Sequence, residues 1–471
     1  MSSVAETLTA VRSSAPAAAG TSYLLPAAGA AAARLARGWL WLGLLALIGS
    51  GVFSVLLVIS RTPGVQKLFP VADFFHVALV VHVDLSVLVW FISIAGLLWS
   101  LAGAARAQTL GWAALAIAAA GTALMAAAPF AGAGTPIMAN YIPVLSGGVF
   151  MAGLLLFGLG FTLLVARSLV ALPPVAPRDG ASALRLGLWI SVIPAAVALA
   201  AFLWSYLTTP GDLPGKAYYE ILFWGGGHAL QFTWTLFMLI AWLWLASACG
   251  ASVPMGPRVA ALAFVLGAVC VLIVPVAYLL WPAHAVEHRN LLTFAMGLGG
   301  GLPILPVALA AVMALRPATP ISPEGRPLRA ALYSSLALFT VGGVIGFTIA
   351  GSNVKIPAHY HGCIVGVTLA LMGLVYHLLP QLGYAHPPRR LATFSSYCYG
   401  VGQLMHIGGL VWSGGYGVQR KVAGAGQVLR STQEVVAMGI MGLGGLIAII
   451  GGLLFVVAVI QAIRHGRAAT R

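Results

Sequence analysis

Residues 356–366 read Ile-Pro-Ala-His-Tyr-His-Gly-Cys-Ile-Val-Gly, and the histidines of this run, His359 and His361, decide how the chain is understood. They open a segment, 356–380, that carries no Asp, Glu, Lys or Arg. A run of about 20 apolar residues crosses the hydrocarbon core of a bilayer, so both histidines lie within a membrane span. A histidine in hydrocarbon is expensive and is kept where it pairs, lines a cavity or binds a metal. Two residues apart on a helix, the side chains point about 200° away from each other. His359 and His361 therefore cannot serve one metal, but each can ligate a different haem on opposite faces. Imidazole is a ligand for haem iron and for copper.

The rest of the chain agrees with a lipid solvent. Of 471 residues only 7% are charged and 61% are hydrophobic, where a soluble domain carries about 25% charged residues; mean hydropathy is +1.00. Such a chain cannot cover a soluble surface with polar groups, which excludes a soluble multidomain enzyme, a secreted disulfide scaffold and a disordered chain. The excess of 24 Lys and Arg over 9 Asp and Glu is scattered through the chain, never more than two together, with no basic stripe interleaved with aromatics, so no nucleic acid is expected. Cys249, Cys270, Cys363 and Cys398 form no CxxC pair, zinc knuckle or CxxCH haem attachment.

Twelve apolar runs long enough to span are expected, at about 38–60, 69–100, 109–128, 141–168, 184–207, 217–247, 258–281, 290–315, 328–350, 356–380, 391–414 and 433–462. The fold class is thus all-α, a polytopic membrane bundle with one integral domain over 38–465. Residues 1–37, rich in Ala and Ser, read as a disordered cytoplasmic tail without the order of a signal peptide. An even number of spans puts both termini on one side. Sixteen of the 24 Lys and Arg fall on that side and 8 on the other, which places the termini in the cytoplasm of a bacterial-type inner membrane.

Four further histidines share that level. His82 in the second span, His228 in the sixth and the pair in the tenth all fall in the outer half of spans that run the same way. His284 and His288 follow at the outer end of the seventh. Six imidazoles in one layer, on four spans, is the arrangement of a metal-cofactor site.

At this point the sequence resembles the haem-copper oxidase superfamily, catalytic subunit I, closest to its C-family and nitric oxide reductase branches. The residues that carry the likeness are the twelve spans, the histidines on the second, sixth, seventh and tenth, and the continuation Gly373-Leu374-Val375-Tyr376-His377-Leu378-Leu379-Pro380. The resemblance implies two haems, a low-spin one held by His82 and His361 and a high-spin one held by His359. It implies copper beside the high-spin haem, or iron in a nitric oxide reductase. Trp224-Gly225-Gly226-Gly227-His228 looks like the sixth-span metal ligand.

Two departures stand out. The family's adjacent His-His pair is replaced by His284-Ala285-Val286-Glu287-His288, so the metal set is expected to be His228, His284 and a third group from His288 or Glu287. Phe232 stands where many relatives carry a redox-active tyrosine. The C-family takes that tyrosine from the seventh span, and Tyr278, six before His284, is the matching residue. Gln419-Arg420-Lys421 resembles the basic pair that binds haem propionates. Charge-assisted bonds from two such cations neutralise carboxylates. His406 reads as a packing or water-bonded residue.

No Asp or Glu falls clearly in the inner half of a span, and no span carries a buried lysine. Protons are left to a hydroxyl chain or to Asp73, Glu220 and Glu287 on the outer side. The leading function is a terminal oxidase that passes electrons from the low-spin haem to a haem-metal centre and reduces O2 to water. The alternative is reduction of NO to N2O on the same scaffold, and a non-enzymatic haem or metal transporter is a remote third class. Electrons must come from a partner, a second subunit or a cytochrome or cupredoxin donor, and membrane lipid surrounds the whole.

Overall fold

A backbone in hydrocarbon must satisfy every N–H and C=O internally, so apolar runs of this length can only be helices. The computed structural model describes residues 20–60, 74–316, 322–351, 353–418 and 431–469. Its helices are α1 (Ala30–Ser60), α2 (Phe74–Val83), α3 (Trp90–Ala102), α4 (Gln108–Ala127), α5 (Gly148–Ala171), α6 (Gly180–Ile190), α7 (Val192–Thr208) and α8 (Gly215–Ala248). They continue with α9 (Pro257–Val269), α10 (Ile273–Leu280), α11 (Val286–Phe294), α12 (Ile304–Ala314), α13 (Gly325–Gly346), α14 (Lys355–Leu378), α15 (Arg389–Gly415) and α16 (Thr432–Ala469). A short hairpin between α4 and α5 pairs β1 (Pro136–Ile137) with β2 (Val144–Leu145).

Several helices are segments of one span. A π-helical turn, Asp84–Val89, joins α2 to α3, and a 3-10 turn, Cys270–Leu272, joins α9 to α10. Among the described residues, eleven helical segments are long and apolar enough to cross a membrane. At the expected span 391–414 lies the 27-residue helix α15, which is more polar and is not among the eleven, so the expected count of twelve spans is not reached. Helix α15 packs along α16 through small residues. A Cβ on Gly409 would lie 2.5 Å from the Ala437 carbonyl oxygen and the Met441 nitrogen, so the two backbones touch.

Part of the stretch read as a tail has a place in the fold. Residues 20–29 precede α1 and lie against the 247–255 segment through the Thr21–Val253 bridge. The Tyr23 amide donates to Ser247 Oγ at 2.8 Å, and its hydroxyl donates to the Met255 carbonyl at 2.7 Å. Residues 1–19 lie outside the described residues.

The core follows α8 and α14, whose most apolar windows are 89% and 78% buried; other spans leave broad faces toward lipid. Helices α13 and α14 approach closely enough for backbone contact, since a Cβ on Gly342 would sit 2.6 Å from the Cys363 nitrogen. This approach carries the His359 region to within hydrogen-bonding distance of the α13 backbone.

Candidate cofactor and metal site

Four membrane histidines share one device, a ring Nδ1 against a main-chain carbonyl. His82 Nδ1 lies 3.0 Å from the Ser50 carbonyl and 2.9 Å from both Ser50 Oγ and Ser54 Oγ of α1. His228 Nδ1 lies 2.9 Å from the Trp224 carbonyl, His359 Nδ1 2.8 Å from the Gly342 carbonyl, and His406 Nδ1 2.9 Å from the Met441 carbonyl. A carbonyl can only accept, so each Nδ1 carries the proton and each Nε2 keeps a lone pair. Metal-ligating histidines are oriented in this way, with the distal nitrogen left for the metal.

The tenth-span pair divides as helical geometry requires. His359 turns to α13, where a Cβ on Gly346 would lie 2.8 Å from the ring. His361 turns to α15, its ring centroid 4.9 Å from that of His406. It also lies within electrostatic reach of His82. Two imidazoles brought near one another from α2 and α14, with the opposite face of α14 presenting a third, suit two haems. The donor set fits that cofactor.

The second metal is different. Helix α10 stops at Leu280, because Pro282 disfavours helix in the residue before it; Trp281 is extended, at φ −142° and ψ 147°. A turn closed by the Ala285 amide on the Pro282 carbonyl at 2.9 Å follows, and α11 restarts at Val286. This turn leaves His284 exposed, and Glu287 is exposed in the first turn of α11. His288 points the other way and is 1% exposed. The expected grouping of His228, His284 and one of Glu287 or His288 is therefore not assembled. Among the described residues, no three His, Cys, Asp or Glu side chains converge as a metal site. A copper held by that trio does not fit this geometry.

Two imidazoles remain inside. His228 is 5% exposed, and the charge of His288 would be felt at its ring. Neither ring nitrogen of His288 has a hydrogen-bond partner among the described residues. Tyr278 stands against His288, ring centroids 4.5 Å apart and edge to face. Its hydroxyl lies 2.6 Å from Ser205 Oγ, donates to the Ala201 carbonyl at 3.2 Å, and packs on Gly225 one turn from His228. Phe232 is 1% exposed on the same helix.

Tyr141 escapes sequence reasoning. It sits in the hairpin between β1 and β2 at φ 66°, a left-handed conformation that a bulky residue rarely adopts. Strain of this kind costs on the order of 1–3 kcal/mol. Its hydroxyl oxygen lies 2.8 Å from His228 Nδ1 and 3.1 Å from Nε2. Its ring fills the space over Gly227 that any larger residue would take. The preceding Asn140 fixes the loop, its amide donating to Glu220 Oε1 at 3.2 Å and its side chain to Glu220 Oε2 at 2.7 Å. No local pattern signals this contact, which joins residues 87 apart. Ser50 and Ser54 were not singled out from the sequence either, although a polar i, i+4 pair inside a span is a signal that could have found them.

Asp84 lies two residues beyond His82 in the π-helical turn and is 1% exposed. Arg420 and Lys421 lie outside the described residues, as does Asp73.

Fold and site together define an integral membrane protein whose core presents imidazoles oriented by main-chain carbonyls. The family model described as Cytochrome C and Quinol oxidase polypeptide I matches residues 34–462, and the chain belongs to that family. It is an oxidase-type catalytic subunit of the haem-copper oxidase subunit I superfamily. An uncharacterized protein of Rickettsia prowazekii is 29% identical over 487 residues, covering 90% of this chain and 94% of that one. An uncharacterized protein of Aquifex aeolicus is 28% identical over 353 residues, covering 74% of this chain and 85% of its own length. The fold is similar to the cryo-EM structure of a heme-copper terminal oxidase dimer, with a TM-score of 0.70 and 17% identity over 93% of this chain and 84% of that one.

Proposed function

We propose that this chain is the catalytic core of a terminal respiratory oxidase that reduces O2 to water, and that His82 and His361 hold a low-spin haem while His359 holds a high-spin one. The observation that carries this reading is the Nδ1-to-carbonyl bond of His82, His228 and His359, which leaves three Nε2 lone pairs for metals. The haems would supply one-electron transfer and the open iron position at which the substrate is reduced. The protein's part is orientation. Ser50 and Ser54 clamp the His82 ring from α1, and Gly342 and Gly346 give His359 its acceptor and its room. His228 and His288 are the inward donors for a second metal beside the high-spin haem, and Tyr278 supports His288 edge-on. Arg420 and Lys421 take the haem propionates. Electrons come from a partner subunit or a cytochrome or cupredoxin donor, with both termini in the cytoplasm.

Reduction of NO to N2O is the second reading, favoured by the buried Phe232 in the place of the sixth-span tyrosine. A carbon monoxide difference spectrum with metal analysis of the purified protein separates the two. Copper supports O2 as the substrate; a third iron supports NO. Absence of haem bands in the reduced-minus-oxidised spectrum would overturn both.

The buried and exposed neighbours of α11 give a sharper check. His288→Ala is expected to lower second-metal content about tenfold or more, as loss of a metal-site group commonly does. Glu287→Gln, on an exposed carboxylate, is expected to leave it unchanged. The reverse ranking would transfer the donor role to Glu287. Replacing Arg420 and Lys421 together by Gln is expected to lower the low-spin haem potential in a redox titration, because nearby cations favour the less positive ferrous state. An unchanged potential would remove the pair from the haem.

A further inference from the structure

We propose that His406 is a positioning residue of the low-spin haem, its Nε2 receiving the Nδ1–H of His361 when His361 ligates the iron. This rests on the reading that His82 and His361 hold that haem, and it gives His406 a part beyond packing.

Three observations converge on it. A ligating imidazole donates its second ring N–H to an acceptor that fixes its orientation. His82 and His359 stand against such acceptors, the Ser50 and Gly342 carbonyls. His361 has no hydrogen bond among the described residues; its neighbours are two rings, Tyr360 beside it in the chain and His406 from α15.

The second observation is the tautomer of His406. Its Nδ1 gives a proton to the Met441 carbonyl at 2.9 Å, so Nε2 keeps a lone pair and can only accept. The Nδ1–Cε1 edge of the ring lies against α16, where a Cβ on Gly445 would stand 3.3 Å from Nδ1 and 3.8 Å from Cε1. The edge that carries Nε2 and Cδ2 is therefore the one turned away from α16, and His361 meets the ring from a different helix, α14.

The third observation is distance. An N–H···N bond spans about 3.0 Å and each ring nitrogen stands about 1.1 Å from its centroid, so bonded imidazoles have centroids up to about 5.2 Å apart. The His361 and His406 centroids are 4.9 Å apart, with the planes at 59°. An imidazole centroid lies close to the Cβ–Cγ axis, so turning His361 about that bond swings Nδ1 and leaves the centroid in place. This torsion is broad in histidine, and the turn asks nothing of either backbone.

The consequence is electronic. An acceptor on Nδ1–H makes the ligating imidazole more basic, which favours ferric iron and lowers the haem potential. The run from His361 through His406 to the Met441 carbonyl polarises both bonds in one direction.

The test uses the purified, haem-loaded protein, with a redox titration of the low-spin haem and electron paramagnetic resonance of its ferric state. His406→Leu keeps the bulk and removes the acceptor. It is expected to raise the potential and shift the ferric g values, while carbon monoxide binding at the other haem persists. His406→Gln offers an amide oxygen as acceptor and is expected to bring both quantities back toward wild type. A purely structural role would lower the thermal midpoint without moving the g values. Wild-type potential and g values in His406→Leu, or equal shifts in the two variants, would overturn the assignment and leave the His82–His361 haem intact. A normal low-spin spectrum in His82→Ala would overturn that haem reading and this proposal together.

Discussion

His82→Ala or His361→Ala is expected to remove the proposed low-spin haem and to leave carbon monoxide binding at the other haem, so that haem content falls from two to one per chain. Each substitution would remove one of the two imidazoles proposed to hold the same iron. His82 is the more rigid of the two, its Nδ1 surrounded by three oxygens of α1 within 3.0 Å. His361 comes from the opposite face of α14 to His359, which keeps its own acceptor, the Gly342 carbonyl at 2.8 Å. His406 offers a free Nε2 beside His361, ring centroids 4.9 Å apart, so a residual six-coordinate spectrum in His361→Ala alone would point to His406 as a substitute ligand. In His82→Ala, among the described residues, no second histidine stands in ring contact to take its place. A normal low-spin spectrum in that variant would refute the assignment.

Gly342→Val is expected to disturb the fold and the proposed high-spin haem together. A Cβ at this position would lie 2.6 Å from the Cys363 nitrogen and 2.7 Å from the Gly362 carbonyl carbon, both backbone atoms that cannot rotate away. Helices α13 and α14 must separate. Overpacking of this kind costs about 1–3 kcal/mol, occasionally more, and in a membrane bundle it also strips the close approach that small residues permit. The Gly342 carbonyl is the acceptor for His359, so any shift of α13 loosens that ring. The expected outcome is a lower thermal midpoint in detergent and a weakened carbon monoxide difference spectrum, with the low-spin bands retained in the folded fraction. Gly343→Ala is the control, because a Cβ there meets nothing within 4 Å. Equal behaviour of the two variants would mean that the helix contact does not position His359.

Much of this protein was legible without coordinates. The charge deficit forces a lipid solvent, and length then forces helices, because hydrocarbon offers no partner to an open backbone. The division of His359 from His361 is a consequence of helical periodicity alone, and their contacts with α13 and α15 follow it. Other features lay beyond sequence reasoning for identifiable reasons. The polar character of α15 hid nothing from the periodicity, yet its place against α16 depends on glycines whose role is visible only in the pair.

The seventh-span region shows where the boundary falls. Pro282 announces a break in the helix, and the sequence therefore determines that His284, Glu287 and His288 do not share one regular helix. The direction each takes after the break is set by a few backbone angles in the turn and by what α8 and α10 leave open, and periodicity carries no information across a turn. Tyr141 is the extreme case: nothing local distinguishes it from any loop tyrosine. Its approach to His228, 87 residues away, exists because Gly227 leaves space and Glu220 holds the loop. Composition and helical spacing thus determined the solvent, the helices and the opposed directions of His359 and His361, each a property of one segment and its period. The surroundings of His228 were decided only by the tertiary structure, because they depend on a hairpin loop that reaches α8 from 87 residues away.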